Sequence, residues 1–303
     1  MNKNTAVIDL GTNTFTMLIA NCDDNGKFQI IYHERHYVKL AEDGIALIGE
    51  HPYQRAMVTM IGFKTAIDKY GATAVKALGT AALRTASNGK MLVEDIFSHT
   101  QIAVNIIEGD EEADLIYEGV RYAYPMDTSN QLIMDIGGGS VEFIIANANE
   151  KIWAQSFPIG VAVLKKKFHH LDPIGSDEIR AIESYLNDTL QPLFEISKQY
   201  PCNTLIGASG TFDVLENIFL KEQLSPLASI VEVANSDLFY KIMAKSTSAE
   251  RYAMENIPPE RVEMIVVAMV LIQFVLKSFH IEKIGISKYA MKEGMMSLLA
   301  KGD

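Results

Sequence analysis

Cysteine is scarce in this sequence, with two residues among 303. Cys22 and Cys202 show no paired spacing, so the sequence offers neither a disulfide framework nor a cysteine-based metal site. The same scarcity fits a reducing compartment, and we expect a cytoplasmic protein. Long apolar runs are lacking too, because the longest uncharged stretch extends only from Met264 to Leu276. This stretch is too short to span a bilayer, so it predicts a buried helix and no membrane partner.

Positive charge is also limited: 27 lysines and arginines stand against 38 aspartates and glutamates, a formal net charge of −11. This balance argues against nucleic acid as a partner, since nucleic-acid binding usually needs a basic face. A small polyanionic substrate stays compatible, because a cleft can hold a positive local field on an acidic protein. The densest basic run is Lys165–Lys167, followed by His169 and His170. That run is either a solvated face or a contact for a phosphate chain.

The composition is that of an ordinary globular protein, 48% hydrophobic and 21% charged, and the length suits one large domain or two ordinary ones. Strand-like and helical patterns alternate along the chain, which predicts an α/β fold. The predicted strands that precede glycine-rich turns are Thr5–Leu10, Gln131–Ile136 and Thr204–Gly207.

One internal repeat distinguishes the chain. Ile8–Asn21 aligns without gaps with Met134–Asn147, and in both segments an Asp-x-Gly-x-x-hydroxyl turn joins two apolar strands. Apolar strands match easily by chance, but turn residues of the same chemistry in the same frame do not. The repeat therefore predicts one duplicated hairpin at the start of each half of the chain.

The two turns have the composition of phosphate-binding sites. Glycine lets backbone N–H groups converge on an anion, and neighbouring hydroxyls add donors. A single turn of this kind is more often just a tight hairpin, but the duplication favours phosphate. The candidate phosphate-binding residues are Gly11, Thr12, Asn13 and Thr14 in the first turn and Gly137, Gly138, Gly139 and Ser140 in the second. Asp9 and Asp135 precede the turns, and an acid beside an anion site predicts a bridging cation such as Mg²⁺.

A third small-residue loop, Gly207–Thr211, follows a predicted strand and opens a predicted helix. Helix N-termini favour anions, so Gly210 and Thr211 are candidate phosphate contacts. Many α/β connections look alike, and an ordinary connection is an equally good interpretation.

Carboxylates cluster in Glu108–Ala113, at the start of a helix predicted over Glu111–Tyr122 with Asp110 as its N-cap. Acidic residues belong in a first helical turn because they complement the helix dipole, so the cluster alone does not require catalysis. The functional alternative is that Glu111 or Glu112 orients an attacking water, and the residues themselves do not choose between them. Arg84 follows a buried strand. Its position alone favours an exposed surface arginine, and the alternative is that its guanidinium group binds phosphate oxygens.

Eight segments in order resemble the motifs of a known family, the exopolyphosphatase / guanosine pentaphosphate phosphatase (Ppx/GppA) family. The segments are Asp9–Phe15, Gly79–Arg84, Gly109–Val120, Asp135–Ser140, Phe157–Val161, Gly207–Thr211, Pro258–Arg261 and Ser287–Gly294. The Asp-x-Gly-Gly-Gly-Ser turn is shared with other actin-like ATPases, whereas the full set is much more specific and covers nearly the whole chain.

The resemblance implies an actin-like (ASKHA) duplicated α/β fold, with two domains flanking a central cleft. We expect residues 1–124, with a terminal helix over about 288–303, to form the first domain and residues 125–287 to form the second, as in the short two-domain members. The resemblance also implies release of the terminal phosphate from inorganic polyphosphate or guanosine pentaphosphate, with Mg²⁺ or another divalent cation as cofactor. A homodimer is a further expectation.

The resemblance also assigns roles to residues. The second glutamate of the family's Gly-x-Glu-Glu-Ala motif is catalytic, and that position is Glu112. Asp135 matches the metal-linked aspartate, Glu142 matches the acid that closes the second turn motif, and Asp9 is the equivalent aspartate of the first turn. Arg84 matches the arginine of the family's Ala-Leu-Arg segment, which implies a phosphate contact.

Glu108 and Val141 depart from the family pattern, which usually has serine and threonine there, and they leave the substrate preference open. Three other functions share the same hairpins. An actin-like small-molecule kinase would transfer phosphate to an acceptor other than water. A sensor would bind polyphosphate or an alarmone without cleaving it. A chaperone-like ATPase would prefer ATP.

Overall fold

The protein is described here by a computed structural model that covers residues 3–23, 27–208 and 210–301, and the chain forms two compact units. Unit 1 comprises Met1–Tyr122, Gly137–Gly139 and Ala290–Asp303. Unit 2 comprises Ala123–Ile136 and Ser140–Tyr289. The three residues Gly137–Gly139 thus belong to unit 1, although the strands on both sides of them belong to unit 2.

The elements alternate as the sequence patterns predict. Up to residue 123 they are β1 (Lys3–Leu10), β2 (Thr14–Cys22), β3 (Phe28–Tyr37), α1 (Glu50–Tyr70), β4 (Ala74–Gly79), α2 (Ala81–Thr85), α3 (Gly89–Thr100), β5 (Val104–Ile106) and α4 (Gly109–Ala123). From residue 131 they are β6 (Gln131–Ile136), β7 (Val141–Ala146), β8 (Lys151–Phe157), α5 (Val161–Phe168), α6 (Ser176–Thr189), α7 (Gln191–Gln199), β9 (Thr204–Ala208), α8 (Gly210–Phe219), β10 (Leu220–Ser225), β11 (Ala228–Val231), α9 (Val233–Lys245), α10 (Ser248–Tyr252), α11 (Ile265–Ser278), β12 (Lys283–Ser287) and α12 (Met291–Lys301).

Each unit is built on one mixed sheet, and the two sheets repeat one pattern. In the described ranges the order is β3-β2-β1-β4-β5 in unit 1 and β10-β11-β12-β9-β6-β7-β8 in unit 2. β1 pairs antiparallel with β2 and parallel with β4, and β6 pairs antiparallel with β7 and parallel with β9. The duplicated α/β fold expected from the sequence is confirmed.

The hairpin registers are also the same. Asp9 lies opposite Thr16 in the first hairpin, and Asp135 lies opposite Glu142 in the second. The two pairs lie as far apart along the chain as the two repeated segments do. Residues that align in the sequence repeat therefore hold equivalent positions in the two hairpins. Directly opposed residues of an antiparallel pair share a face of the sheet, so Asp135 and Glu142 point to the same side.

Two helices follow the sequence patterns closely. α1 ends at Gly71, which has φ 61° and donates its N–H to the carbonyls of Asp68 and Ile67; a left-handed glycine is the usual stop for a helix. α11 contains the apolar stretch predicted to be a buried helix, and almost all its side chains are buried in the core of unit 2. None of the helices in the described ranges combines the length and apolarity needed to cross a membrane.

α12 belongs to unit 1 and packs against its first three strands. It crosses α4 at very close range, because a Cβ on Gly119 would lie 1.9 Å from the carbonyl oxygen of Ala290. A Cβ on Gly294 would lie 1.9 Å from the carbonyl oxygen of Leu115. Two helix backbones meet here with no room for side chains. Of the terminal helix expected over about 288–303, residues 291–301 are helical, and residues 302 and 303 lie outside the described ranges.

Candidate functional site

The first glycine turn is held by its own backbone and by a neighbouring loop. Gly11 donates its N–H to the carbonyl of Thr14 at 3.0 Å, and a Cβ on Gly11 would lie 3.0 Å from that oxygen. The carbonyls of Thr12 and Asn13 accept the N–H groups of Leu40 and Lys39 at 2.8 and 3.0 Å. The turn is therefore fixed in shape before any ligand arrives.

Thr12 points into the protein rather than towards solvent. It is 3% exposed, and its Oγ1 has no hydrogen-bond partner among the residues that the structure describes. A buried hydroxyl normally finds an acceptor, so this atom has capacity for a ligand oxygen or a water molecule.

The second glycine turn lies against the first one within unit 1. A Cβ on Gly138 would lie 2.7 Å from the side-chain amide of Asn13, and one on Gly139 would lie 2.7 Å from Thr12 Oγ1. Gly139 is also enclosed by Ala81, whose Cβ would be 2.8 Å away. The backbone of the second turn can approach the first only because both residues lack side chains. Two turns 126 positions apart in sequence are thus brought together.

The candidate metal ligands lie on the face of the unit 2 sheet described above. Asp135 is 9% exposed, and Glu142 is 1% exposed and accepts a 2.6 Å hydrogen bond from Ser156 through its Oε1. Mg²⁺ in proteins is typically held by one or two carboxylates together with substrate phosphates and waters. In the described part of the chain no group of three or more His, Cys, Asp or Glu could hold a metal. The opposed pair of Asp135 and Glu142 fits a magnesium site made of two carboxylates. Asp9, the third predicted metal ligand, belongs to unit 1.

At the start of α4, burial distinguishes the two candidate catalytic glutamates. Glu112 is 8% exposed, whereas its neighbour Glu111 is exposed. α4 begins at Gly109, so Asp110 lies within the first turn of the helix and the prediction that it is the N-cap was wrong. The exposed acids of this turn complement the helix dipole, and Glu112 turns inward.

Arg84 is the positive charge beside Glu112. α2 follows β4 and carries Arg84, whose Nη1 lies 3.6 Å from Glu112 Oε2 and donates to the carbonyl of Ile107. The Ile107 N–H is in turn bonded to the carbonyl of Gly79, at the end of β4. The guanidinium is thus anchored on one side and paired with a buried carboxylate on the other.

The third loop is shaped by an arginine from a distant segment of unit 2. A Cβ on Gly210 would lie 1.9 Å from Nη2 of Arg261, so the guanidinium packs directly on this glycine at the start of α8. Thr211 is 4% exposed. Ser209, part of the same predicted loop, lies outside the described residues. The arginine gives this loop a positive neighbour. It belongs to the Pro258–Arg261 segment, which resembles a family motif but did not indicate this contact.

The basic run on α5 has local partners. Lys165 forms an ion pair with Glu263, and its hydrogen bond holds the pKa of that carboxyl below its ordinary value. Lys167 lies over the ring of Tyr185, 3.8 Å from its centroid. These two contacts favour a structural role for the run over a contact with a phosphate chain.

Comparison with known proteins agrees with this architecture. The model of the Ppx/GppA phosphatase family matches residues 18–301. An exopolyphosphatase from Cytophaga hutchinsonii, known from its crystal structure, is 36% identical and has a TM-score of 0.94, with 99% of this chain and 98% of that chain covered. The Aquifex aeolicus member of the Ppx/GppA family is 21% identical, with 100% and 99% coverage and a TM-score of 0.81, and it supports the fold alone.

Curated relatives carry two kinds of name. A putative exopolyphosphatase of Haemophilus influenzae is 26% identical over 301 residues, which is 98% of this chain and 91% of that protein. A guanosine-5′-triphosphate,3′-diphosphate pyrophosphatase of Photobacterium profundum is 28% identical over 227 residues. The match covers 74% of this chain and 45% of that longer protein, so the chain spans only about half the length of some relatives that it matches.

Proposed function

Because this chain belongs to the Ppx/GppA phosphatase family, we propose that it hydrolyses the terminal phosphate of inorganic polyphosphate or of guanosine pentaphosphate. The observation that carries the proposal is the pairing of buried Glu112 with Arg84 in unit 1, the unit that also contains both glycine turns. A carboxylate that orients water, a guanidinium and backbone N–H groups around the phosphate are parts that recur in enzymes of phosphoryl transfer.

In this proposal the substrate's terminal phosphate binds at the two turns. Their N–H groups and the Thr12 hydroxyl donate to its oxygens, and the Arg84 guanidinium offsets the charge that grows in the transition state. Glu112 holds the attacking water in line and accepts its proton. The leaving group is itself a phosphate, so no strong general acid is needed.

Asp135 and Glu142 are the residues that would hold a divalent cation, since they offer two carboxylates on one face of the sheet. Such a cation supplies electrostatic stabilisation of phosphate oxygens. Ser156 keeps the carboxylate of Glu142 in place through its hydrogen bond.

The first prediction concerns Glu112. We expect Glu112→Gln to lower the rate of phosphate release by about 10²–10⁴-fold while substrate binding is largely kept, because the amide cannot accept a proton from water. The measurement is phosphate release with and without magnesium from polyphosphate, guanosine pentaphosphate and ATP. The substrate with the highest kcat/KM identifies the preference.

Glu111→Gln is the matched control, because this neighbouring glutamate is exposed. It should release phosphate at close to the unaltered rate. Near-normal release by Glu112→Gln, or equal loss in both variants, would refute the assignment. Binding of polyphosphate without release by the unaltered protein would instead indicate a sensor.

A further inference from the structure

Lys39 has an unusual backbone conformation for its position. Its φ is 52°, in the left-handed region that side-chain-bearing residues seldom adopt. The other two such residues that the structure describes, Gln101 and His280, lie at helix ends, where a left-handed residue is ordinary: Gln101 is the C-cap of α3, and His280 follows the C-cap of α11. Lys39 ends no helix, because it lies two residues after β3. A strained residue of this kind persists where the surrounding structure requires it, often at a functional site.

The conformation of Lys39 is fixed by the first glycine turn. Its N–H donates to the carbonyl of Asn13 at 3.0 Å, and the next N–H, of Leu40, donates to the carbonyl of Thr12 at 2.8 Å. Val38 and Leu40 on both sides are buried at 1% exposure. Lys39 itself is exposed, so its backbone is anchored on the turn while its side chain reaches solvent.

The ammonium group of Lys39 has no ion-pair partner within the described ranges. Glu42, three residues further on, forms an ion pair with Arg55, whose hydrogen bond holds the pKa of Glu42 below its ordinary value; the positive charge of Lys39 acts in the same direction. Lys39 therefore adds a cation without an ion-pair partner in the described ranges, next to a turn that has other donors for an anion.

We propose that Lys39 is a specificity residue of the phosphate site, contacting a phosphate of the substrate other than the one that is removed. Because the turn uses its own donors for the terminal phosphate, a tethered ammonium beside it suits the adjoining phosphates of a condensed chain. The matching ligand class is a linear oligophosphate of at least two linked phosphates, either inorganic or the 5′-triphosphate of a nucleotide. This inference rests on the proposed function, since it assumes that the turns bind the terminal phosphate.

The test is equilibrium binding in magnesium buffer, with Glu112→Gln as the background so that the ligand is not consumed. The probes are orthophosphate, inorganic tripolyphosphate and guanosine pentaphosphate. We expect Lys39→Met to weaken binding of a chain substrate by about tenfold and to leave orthophosphate binding unchanged, as loss of one charge-assisted contact predicts. With Glu112 intact, KM should rise by about tenfold while kcat changes by less than about twofold.

Three controls separate charge from backbone. Lys39→Arg keeps the charge and should bind the probes like the Glu112→Gln background protein. Lys90→Met removes another exposed lysine of unit 1, on α3, and should have no effect. Lys39→Gly removes the charge but relieves the strain, so it should bind as weakly as Lys39→Met while unfolding at an equal or higher temperature.

A failure of the Lys39 inference can be distinguished from a failure of the proposed hydrolase function. Parent-like binding of the chain probes by Lys39→Met overturns the Lys39 inference and leaves the hydrolase proposal intact. Chain binding that depends on Lys39, without phosphate release by the unaltered protein, supports Lys39 and overturns hydrolysis. If the Glu112→Gln background protein binds no chain probe, the Lys39 inference is overturned outright. If Lys39→Met loses orthophosphate binding as much as chain binding, Lys39 holds the terminal phosphate and the inference is also overturned.

Discussion

At the scale of single residues, Gly138 and Gly139 differ in how much room a side chain would have. The three atoms nearest to a Cβ on Gly138 would all belong to the amide group of Asn13, which is the movable end of a side chain. A Cβ on Gly139 would meet Thr12 Oγ1, Ala81 Cβ and Ile45 Cδ1, at 2.7, 2.8 and 2.9 Å. Thr12 and Ala81 are buried and have little room to move.

We therefore expect Gly139→Ala to destabilise the protein by about 1–3 kcal/mol, the usual cost of overpacking, and to reduce phosphate release strongly. Gly138→Ala should reduce both stability and phosphate release by less, because the side chain of Asn13 can rotate away. Urea unfolding and phosphate release compare the two variants. A larger defect for Gly138→Ala would contradict the proposed packing of the second turn on the first.

The two turns can be predicted from the sequence because their chemistry is repeated in frame. Glu111 and Glu112 cannot be told apart in this way, since adjacent helical positions point in different directions and burial depends on what packs against the helix. Lys39 gave no signal at all. Its strained conformation results from a hydrogen bond to Asn13, and such a long-range contact is absent from local sequence patterns.

At the scale of elements, the crossing of α4 and α12 positions the start of α4 and hence Glu112. The segments containing Gly119 and Gly294 were identified by resemblance, but their role depends on a contact between helices 175 positions apart. Helix-interior glycine normally costs stability relative to alanine. Its presence at both positions is explained by the close approach of the two backbones.

We expect Gly294→Ala to lower the free energy of unfolding by about 2 kcal/mol or more, because its Cβ would overlap the carbonyl of Leu115. Gly62→Ala on α1 is the matched control. Nothing lies within 4 Å of its Cβ position, so the same substitution should stabilise the protein by up to about 1 kcal/mol. Chemical denaturation measures both changes, and effects of the same sign would show that the crossing is looser than described.

At the scale of the whole molecule, His169 links stability to pH. It is half-buried, and burial lowers its pKa, with Arg251 and Lys165 acting in the same direction against the opposing charges of Glu178 and Asp172. The folded protein therefore favours the neutral imidazole. An unfolded histidine titrates near 6.5, so the unfolded state binds more protons just below that pH.

The sign of the pH dependence follows from this difference in bound protons. The contribution of His169 to stability is fully present above about pH 6.5 and is lost as the pH falls through the lowered pKa of the folded state. His169→Gln should flatten the dependence of the unfolding free energy on pH below about 6.5. His170→Gln, which changes the exposed neighbour, is the control, and an equal flattening in that variant would contradict the assignment to His169. His33, whose pKa burial also lowers, accounts for part of the slope that remains.

The composition of unit 1 has a consequence for synthesis on the ribosome. Unit 1 contains the first strands of the chain, a three-residue loop from its middle and α12, which follows every residue of unit 2. During translation β1, β2 and α4 emerge early, but the helix backbone that closes over Gly119 emerges only after residue 289. Unit 2 can gather all its strands first. The unit that is translated first is therefore the last to be completed.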